Sequence, residues 1–350
     1  MASRRVRLET TTVGRVMDIA VCGAQTRFVR GGAELLADNL VAAFQRAGHR
    51  AENVRLPVAW DRSRLFDAAT AWRLVPMDYD VAVAINFPAY FVRHQRKVVW
   101  LFHQHRTAYD AVSAPWSDYR NDELSLADQR LLAQWDNEAL AEATRLYTGS
   151  QRVADRLQRY NGLEGTPLYH PSPLAGRLRA VAGGEYVFCA TRLEGNKRPE
   201  LLVEAAARTR CRVPMIIAGH GSQLEELRAM AERLDAPVRF AGLVEERELV
   251  ELYEGALAVV YAPFDEDYGY GVLEGFEAGK PVITCDDSGG TLEFVVHENN
   301  GLVVSAKAEA VAEAIDRLVD DRGLAERLGA AGARRVAELS WDPVVQALLL

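Results

Sequence analysis

The sequence predicts an α/β protein of two domains, each a mainly parallel sheet with helices on both faces. Three observations lead there. Short runs rich in β-branched residues alternate with longer amphipathic runs along most of the chain. The 350 residues exceed the usual size of one domain, and at 49% hydrophobic they can fill two sizeable cores. Near the middle, Pro171, Pro173, Gly176 and Gly183-Gly184 make a breaker-rich stretch without periodicity, the natural linker.

In chain order, residues 1–15 are polar and aperiodic, a loose lead-in. Residues 17–22 read as a short strand, followed by a polar loop and Gly31-Gly32-Ala33-Glu34. Leu35, Leu36, Leu40, Ala43, Phe44 and Ala47 then recur at helical spacing until Gly48. The glycines do not form G-x-G-x-x-G, which argues against a nicotinamide enzyme. Strand-like runs recur at 51–54, 80–85, 97–102 and 145–148, and residues 124–143 form the longest amphipathic helix of this half. Ligands of such sheets bind off the carboxyl ends of strands, where His103 stands after KVVWLF. His103 and His105 have the look of a metal pair, but no third ligand is evident nearby, so no metal is expected.

After the linker, strands are expected at 186–190, 213–218, 238–241, 257–262 and 282–284. Helices fall at 199–209, 223–234, 246–253, 272–278 and 308–319, with further helix past Trp341. Arg192 and Lys197 leave the carboxyl end of the first of these strands. A planar guanidinium and a mobile ammonium on one loop suit a diphosphate. Gly219-His220-Gly221 and Gly242 follow the next two strands and would leave room for backbone contact in the same crevice.

The stretch EDYGYGVLEGFEAGKPVIT, residues 266–284, gathers the most chemistry. Glu266 and Glu274 flank a Tyr268-Gly269-Tyr270-Gly271 turn, and a helix opening near Gly271 would aim unpaired N–H groups at an anion. Taken alone, a first-turn glutamate is as readily a helix cap, and such a turn only a turn. Asp265-Glu266-Asp267 also matches the D-x-D pattern that holds a divalent ion on a diphosphate. The two cations of the neighbouring loop already supply the charge such an ion would bring, so a metal-free site is expected.

Composition narrows the partners. Cys22, Cys189, Cys211 and Cys285 form no CxxC pair and read as reduced thiols. No apolar run approaches a membrane span and residues 1–7 lack a signal-peptide core, so the expected location is cytoplasmic. Residues 1–172 hold 22 Lys+Arg and 19 Asp+Glu; residues 173–350 hold the remaining 19 and 30, giving +3 against −11. The split is compatible with a first domain that touches an anionic membrane face through Arg93, Arg96 and Lys97. No strongly basic patch calls for nucleic acid.

The order Gly31-Gly32-x-Glu34, His103, Arg192 with Lys197, Gly219-x-Gly221, Phe240-x-Gly242 and E-x-Y-G-x-x-x-x-E at 266–274 resembles family 4 of the retaining glycosyltransferases. SGGTLEFV at 288–295 and ENNGLVV at 298–304 extend the likeness, which spans nearly the whole chain. The resemblance implies two Rossmann-like domains facing each other across a cleft, the GT-B architecture. One domain would cover residues 1–172 plus a crossing helix at 340–350, the other residues 173–339. It implies hexosyl transfer, with retention and without metal, from a UDP- or GDP-linked sugar to a carbohydrate, glycolipid or small-molecule hydroxyl. Such steps serve cell-envelope polysaccharide, glycolipid or glycosylated-metabolite synthesis.

Residue by residue, the resemblance puts Glu274 at the nucleotide ribose and Glu266 by the donor sugar ring. Arg192 and Lys197 would hold the diphosphate. Tyr268, Gly269, Tyr270, Gly271 and Val272 would offer backbone N–H groups, and Leu243 and Val244 would lie along the base. His103, Gly31 and Gly32 would face the transferring sugar from the other domain. Thr191 and Arg198 stand where family members usually have glycine, and Tyr268 where phenylalanine is common. Two alternatives stay open: an epimerase or phosphorylase on the same fold, or a non-catalytic sugar-nucleotide-binding subunit.

Overall fold

The computed structural model describes residues 15–26, 31–112, 114, 117–120 and 122–350; the lead-in expected at 1–15 lies almost wholly outside them. The first sheet contains β1 (Asp18–Gln25), β2 (Arg50–Pro57), β3 (Val81–Asn86), β4 (Lys97–His103), β5 (Arg145–Thr148) and β6 (Thr166–Pro167). They lie in the order β2-β1-β3-β4-β5-β6, all parallel. Helices α1 (Gly32–Arg46), α2 (Leu65–Leu74), α3 (Glu123–Ala141) and α4 (Gln151–Asn161) connect them. β3, VAVAIN, is buried at every position, as a central parallel strand covered on both faces must be.

The second sheet contains β7 (Val187–Ala190), β8 (Met215–Ala218), β9 (Val238–Gly242), β10 (Ala258–Val260), β11 (Val282–Cys285) and β12 (Gly301–Val304). Its helices are α5 (Pro199–Arg208), α6 (Leu224–Arg233), α7 (Glu246–Glu254), α8 (Tyr270–Glu277), α9 (Ala308–Asp320) and α10 (Arg322–Val336). The order β12-β11-β10-β7-β8-β9 is that of a doubly wound sheet, and its direction of winding reverses between β7 and β10. A last helix, α11 (Trp341–Leu349), returns to the first domain. There Val344, Val345 and Leu348 share a core with Leu36, Leu40, Phe44 and Trp100.

The sequence reading passes over α2, α4, α10, the two-residue β6, and β12. For α4 the signals were present: Ser150 Oγ accepts from Val153 N–H at 3.2 Å, and Gly162 closes the helix with φ +66°. The proposed cationic face of the first domain needs correction. Lys97 is fully buried, its Nζ donating to the carbonyls of Tyr90 (3.1 Å) and Ala139 (2.7 Å) and pairing with Glu142 (2.8 Å). It caps the end of α3, where the helix dipole favours a cation. Arg96 is half-buried and donates to the Leu349 carbonyl, tying α11 down; only Arg93 is exposed. The four cysteines are free thiols.

Candidate active site

A cleft of about 520 Å³ lies off the carboxyl ends of both sheets. In the second sheet the reversal between β7 and β10 sets its position. The loop after β7 brings Arg192, Asn196 and Lys197 to one side, and the loop after β10 brings Glu266 to the other. Tyr268, Gly269 and Tyr270 continue that wall. Gly31, Gly32, Asn86, His103 and Trp60 form the facing wall from the first domain.

Glu266 is held by two groups of its own domain. The Lys197 ammonium forms an ion pair with it, and the Tyr261 hydroxyl donates to it at 3.1 Å. Burial alone would raise its pKa, but the Lys197 charge outweighs burial and leaves the carboxyl below its usual value. Arg192 is exposed and enters no ion pair among the described residues, so its guanidinium faces the cleft ready for an anion. His103 and His105 are both lowered by burial, His105 to about 4, which keeps the imidazoles neutral at pH 7. His105 is not poised as a metal ligand. Its Nε2 shares a hydrogen bond with Thr107 Oγ1 at 2.9 Å and its ring stacks on Trp60.

Glu274 sits deeper than Glu266 and is 8% exposed. Burial pushes its carboxyl up to about 7, against the opposing hydrogen bond from the Tyr253 hydroxyl at 2.6 Å. With Gly219, Gly221, Leu243, Val244, Gly271 and Val272, it is not among the described residues that line the cleft. Leu243, at 83% exposed, presents an apolar face beside the second sheet, while Val244 packs into that domain's core.

Three expectations about the glycines and the turn change. Gly219 and Gly221 do not open space for a ligand. A Cβ on them would stand 1.8 Å from the Thr191 carbonyl and 2.2 Å from that of Leu193, so they let the loops after β7 and β8 touch. Gly271 admits the Tyr261 ring, which a Cβ would meet at 2.7 Å. Helix α8 opens at Tyr270 behind a left-handed Gly269 (φ +97°), and the Val272 N–H already donates to the Gly269 carbonyl at 3.0 Å. The N–H groups left for an anion are those ahead of Val272 in that first turn.

Arg198, at a position the resemblance gives to glycine, does adopt left-handed backbone (φ +50°). Both of its terminal nitrogens bind Asp287 (2.7 and 2.5 Å), and its guanidinium lies over Phe264. Arg198 is not among the described residues that line the cleft. The hydroxyl that distinguishes Tyr268 from phenylalanine bonds both the N–H and the carbonyl of His170 in the linker, at 2.8 and 2.5 Å, and the two rings stack.

Reading the sequence missed Tyr261 and Tyr253, the hydroxyls that orient the two glutamates, and three arginines of the first domain. Arg106 and Arg152 bind Asp265, and Arg156 pairs with Asp267 at 2.7 Å. The D-x-D carboxylates are thus committed to guanidinium groups. The spacing of Arg152 and Arg156, one helical turn apart, was the available signal.

Comparison with known proteins places these observations. Residues 176–335 match the family Glycosyl transferases group 1. A GDP-mannose-dependent alpha-(1-6)-phosphatidylinositol monomannoside mannosyltransferase of Mycobacterium tuberculosis is 36% identical over 46% of this chain and 46% of its own length. A D-inositol 3-phosphate glycosyltransferase of Streptomyces griseus is 31% identical over 45% of this chain and 36% of its own. The chain thus aligns with less than half the length of these curated relatives. Among solved structures, sucrose-phosphate synthase from Thermosynechococcus elongatus superposes with a TM-score of 0.78 at 18% identity, covering 95% of this chain and 97% of that one. Anabaena HepE in complex with UDP-glucose gives 0.72 at 17% identity, covering 95% and 98%. At such identities the likeness establishes the shared two-domain GT-B fold.

Proposed function

We propose that this chain, whose residues 176–335 match the Glycosyl transferases group 1 family, moves a sugar from a nucleoside diphosphate to an acceptor hydroxyl. The observation that carries the reading is the pairing of Lys197 with Glu266 beside an uncommitted Arg192, at the reversal point of the second sheet and across the cleft from His103. An arriving diphosphate competes for Lys197 and adds Arg192 and the first-turn N–H groups of α8, so charge developing on the leaving group meets a preorganised field. Glu266, released from part of its ion pair, is then free to accept from the donor sugar. The mechanism requires no protein nucleophile: substitution on one face of the sugar retains its configuration, and the departing phosphate helps deprotonate the acceptor.

No metal is assigned, because guanidinium groups already occupy Asp265 and Asp267. Donor-side work belongs to residues 173–339, and acceptor-side work to residues 1–172 with 340–350. Glu274 and Leu243 would receive the ribose and base. UDP- and GDP-sugars are the donors to try first, since relatives and structural neighbours are named for GDP-mannose and UDP-glucose. Acceptors of the same kind would be glycolipid, sugar or polyol. No helix among the described residues is long and apolar enough to cross a membrane. A cytoplasmic enzyme with peripheral membrane contact is part of the same proposal.

The test incubates the protein with UDP- and GDP-sugars, alone and with candidate acceptors, and follows nucleotide release and product configuration. Acceptor-dependent release with the anomeric configuration kept is expected. Conversion of the donor sugar without nucleotide release, or binding without turnover, would overturn the proposal.

A further inference from the structure

We infer that Arg106, Arg152 and Arg156 form a clamp by which the first domain sets the position of Glu266 in the second. This rests on the transfer reading above. The three cations belong to the loop after β4 and to one face of α4, and none approaches the sequence of the second domain. All three nevertheless converge on the residues that bracket Glu266. Arg106 donates to the Asp265 carbonyl at 2.6 Å and to its carboxylate at 2.7 Å. Arg152 Nε takes the other carboxylate oxygen at 2.6 Å. Arg156, with a side chain only 2% exposed, pairs with Asp267 at 2.7 Å, and Ser150 Oγ donates to the Asp267 carbonyl at 2.5 Å. Behind them Asp110 binds both Arg106 and Arg156, so three guanidinium groups face three carboxylates.

The loop needs such help. Asp265, Glu266 and Asp267 are three consecutive acidic residues, whose carboxylates repel one another in a poorly hydrated place. Asp265 is also held in left-handed backbone, φ +45°, which a non-glycine side chain resists. Lys197 and Tyr261 neutralise and aim only the middle carboxylate. Docking of the first domain supplies the remaining partners. When the domains part, the flanking charges lose them and the loop relaxes, carrying Glu266 off its aim. Glu274, Arg192 and Lys197 belong to the second domain and, among the described residues, make no hydrogen bond or ion pair with the three arginines. The clamp therefore separates two properties of one site: nucleotide binding needs the second domain alone, whereas turnover needs both. The three arginines are positioning residues, acting on the sugar through Glu266.

The experiment compares Arg156→Gln, Arg152→Ala and the wild type in the full chain. Small-angle scattering with saturating nucleoside diphosphate reports docking, calorimetry reports nucleotide affinity, and kcat is measured separately from KM. Expected are an expanded scattering profile, nucleotide affinity within threefold of wild type, and kcat at least tenfold lower for Arg156→Gln, with a smaller loss for Arg152→Ala. Profiles superimposable on wild type overturn the clamp whatever the activity. So does a fall of nucleotide affinity in step with kcat, which would mark general damage to the second domain. If Arg156→Gln fails to accumulate, Arg152→Ala decides, because that side chain, 42% exposed, is the least buried of the three. A wild type that transfers no sugar refutes the transfer reading, and the scattering comparison still judges the clamp.

Discussion

Replacing Glu274 with glutamine keeps the side chain's shape and removes its proton equilibrium. The wild-type carboxyl is 8% exposed and raised from 4.5 to about 7 by burial. Because the folded value lies above the unfolded one, the folded state holds this proton more tightly. The contribution of this group to stability is full below about pH 4.5, falls as pH rises, and is lost above about 7. A displacement of that size corresponds to something on the order of 3 kcal/mol. Glutamine carries no such loss. The difference in melting temperature, variant minus wild type, should be near zero at pH 5 and a few degrees positive at pH 8. Binding moves the opposite way. The ionised carboxylate is the better acceptor for ribose hydroxyls, so wild-type nucleotide affinity should rise with pH towards 7, while the variant binds roughly tenfold more weakly without that slope. Thermal unfolding and calorimetry from pH 5 to 8.5 check both arms. A melting difference that is flat across this range would refute the burial argument, and equal affinities would refute the ribose assignment.

Lys197→Ala should lower turnover on the order of 100-fold, with activity of the wild type insensitive to EDTA; restoration of a chelated enzyme by Mn²⁺, with Lys197→Ala still active, would contradict it. Tyr268→Phe strips the hydroxyl that serves both backbone groups of His170, and should cost roughly 1–3 kcal/mol in thermal or denaturant unfolding. An unchanged midpoint would show the linker to be held otherwise. Gly219→Ala places a Cβ 1.8 Å from the Thr191 carbonyl in backbone at φ +137°, so markedly lower melting temperature or loss of soluble protein is expected, and wild-type unfolding would refute the close-approach role.

The sheets were legible because their strands are buried on both faces and read as unbroken apolar runs, β3 most plainly. Glu266, the cation pair and His103, which line one cleft, stand out in the sequence as loop chemistry at strand ends, whereas Glu274 lies within α8 and outside the cleft lining. What escaped notice was relational. Nothing in the spacing of Arg152 and Arg156 names Asp265 and Asp267, more than a hundred residues away, as their partners. Lys97 reads as a surface charge until the end of α3 is seen to close over it. Gly219 and Gly221 suggest room for a ligand, and only the packed backbone shows that the space is already filled by a neighbouring loop.

The return of α11 to the first domain has a bearing on how the protein is made. Val344, Val345 and Leu348 complete a core whose other members, Leu36, Leu40, Phe44 and Trp100, emerge from the ribosome far earlier. About 170 residues separate the last strand of that domain from the helix that seals it. At roughly 5–20 residues per second, the first domain waits on the order of ten to thirty-five seconds with an apolar groove uncovered. During that interval the second domain can finish its own sheet. The domain synthesised first is therefore the one completed last, and its unsealed groove is where a chaperone would find the nascent chain.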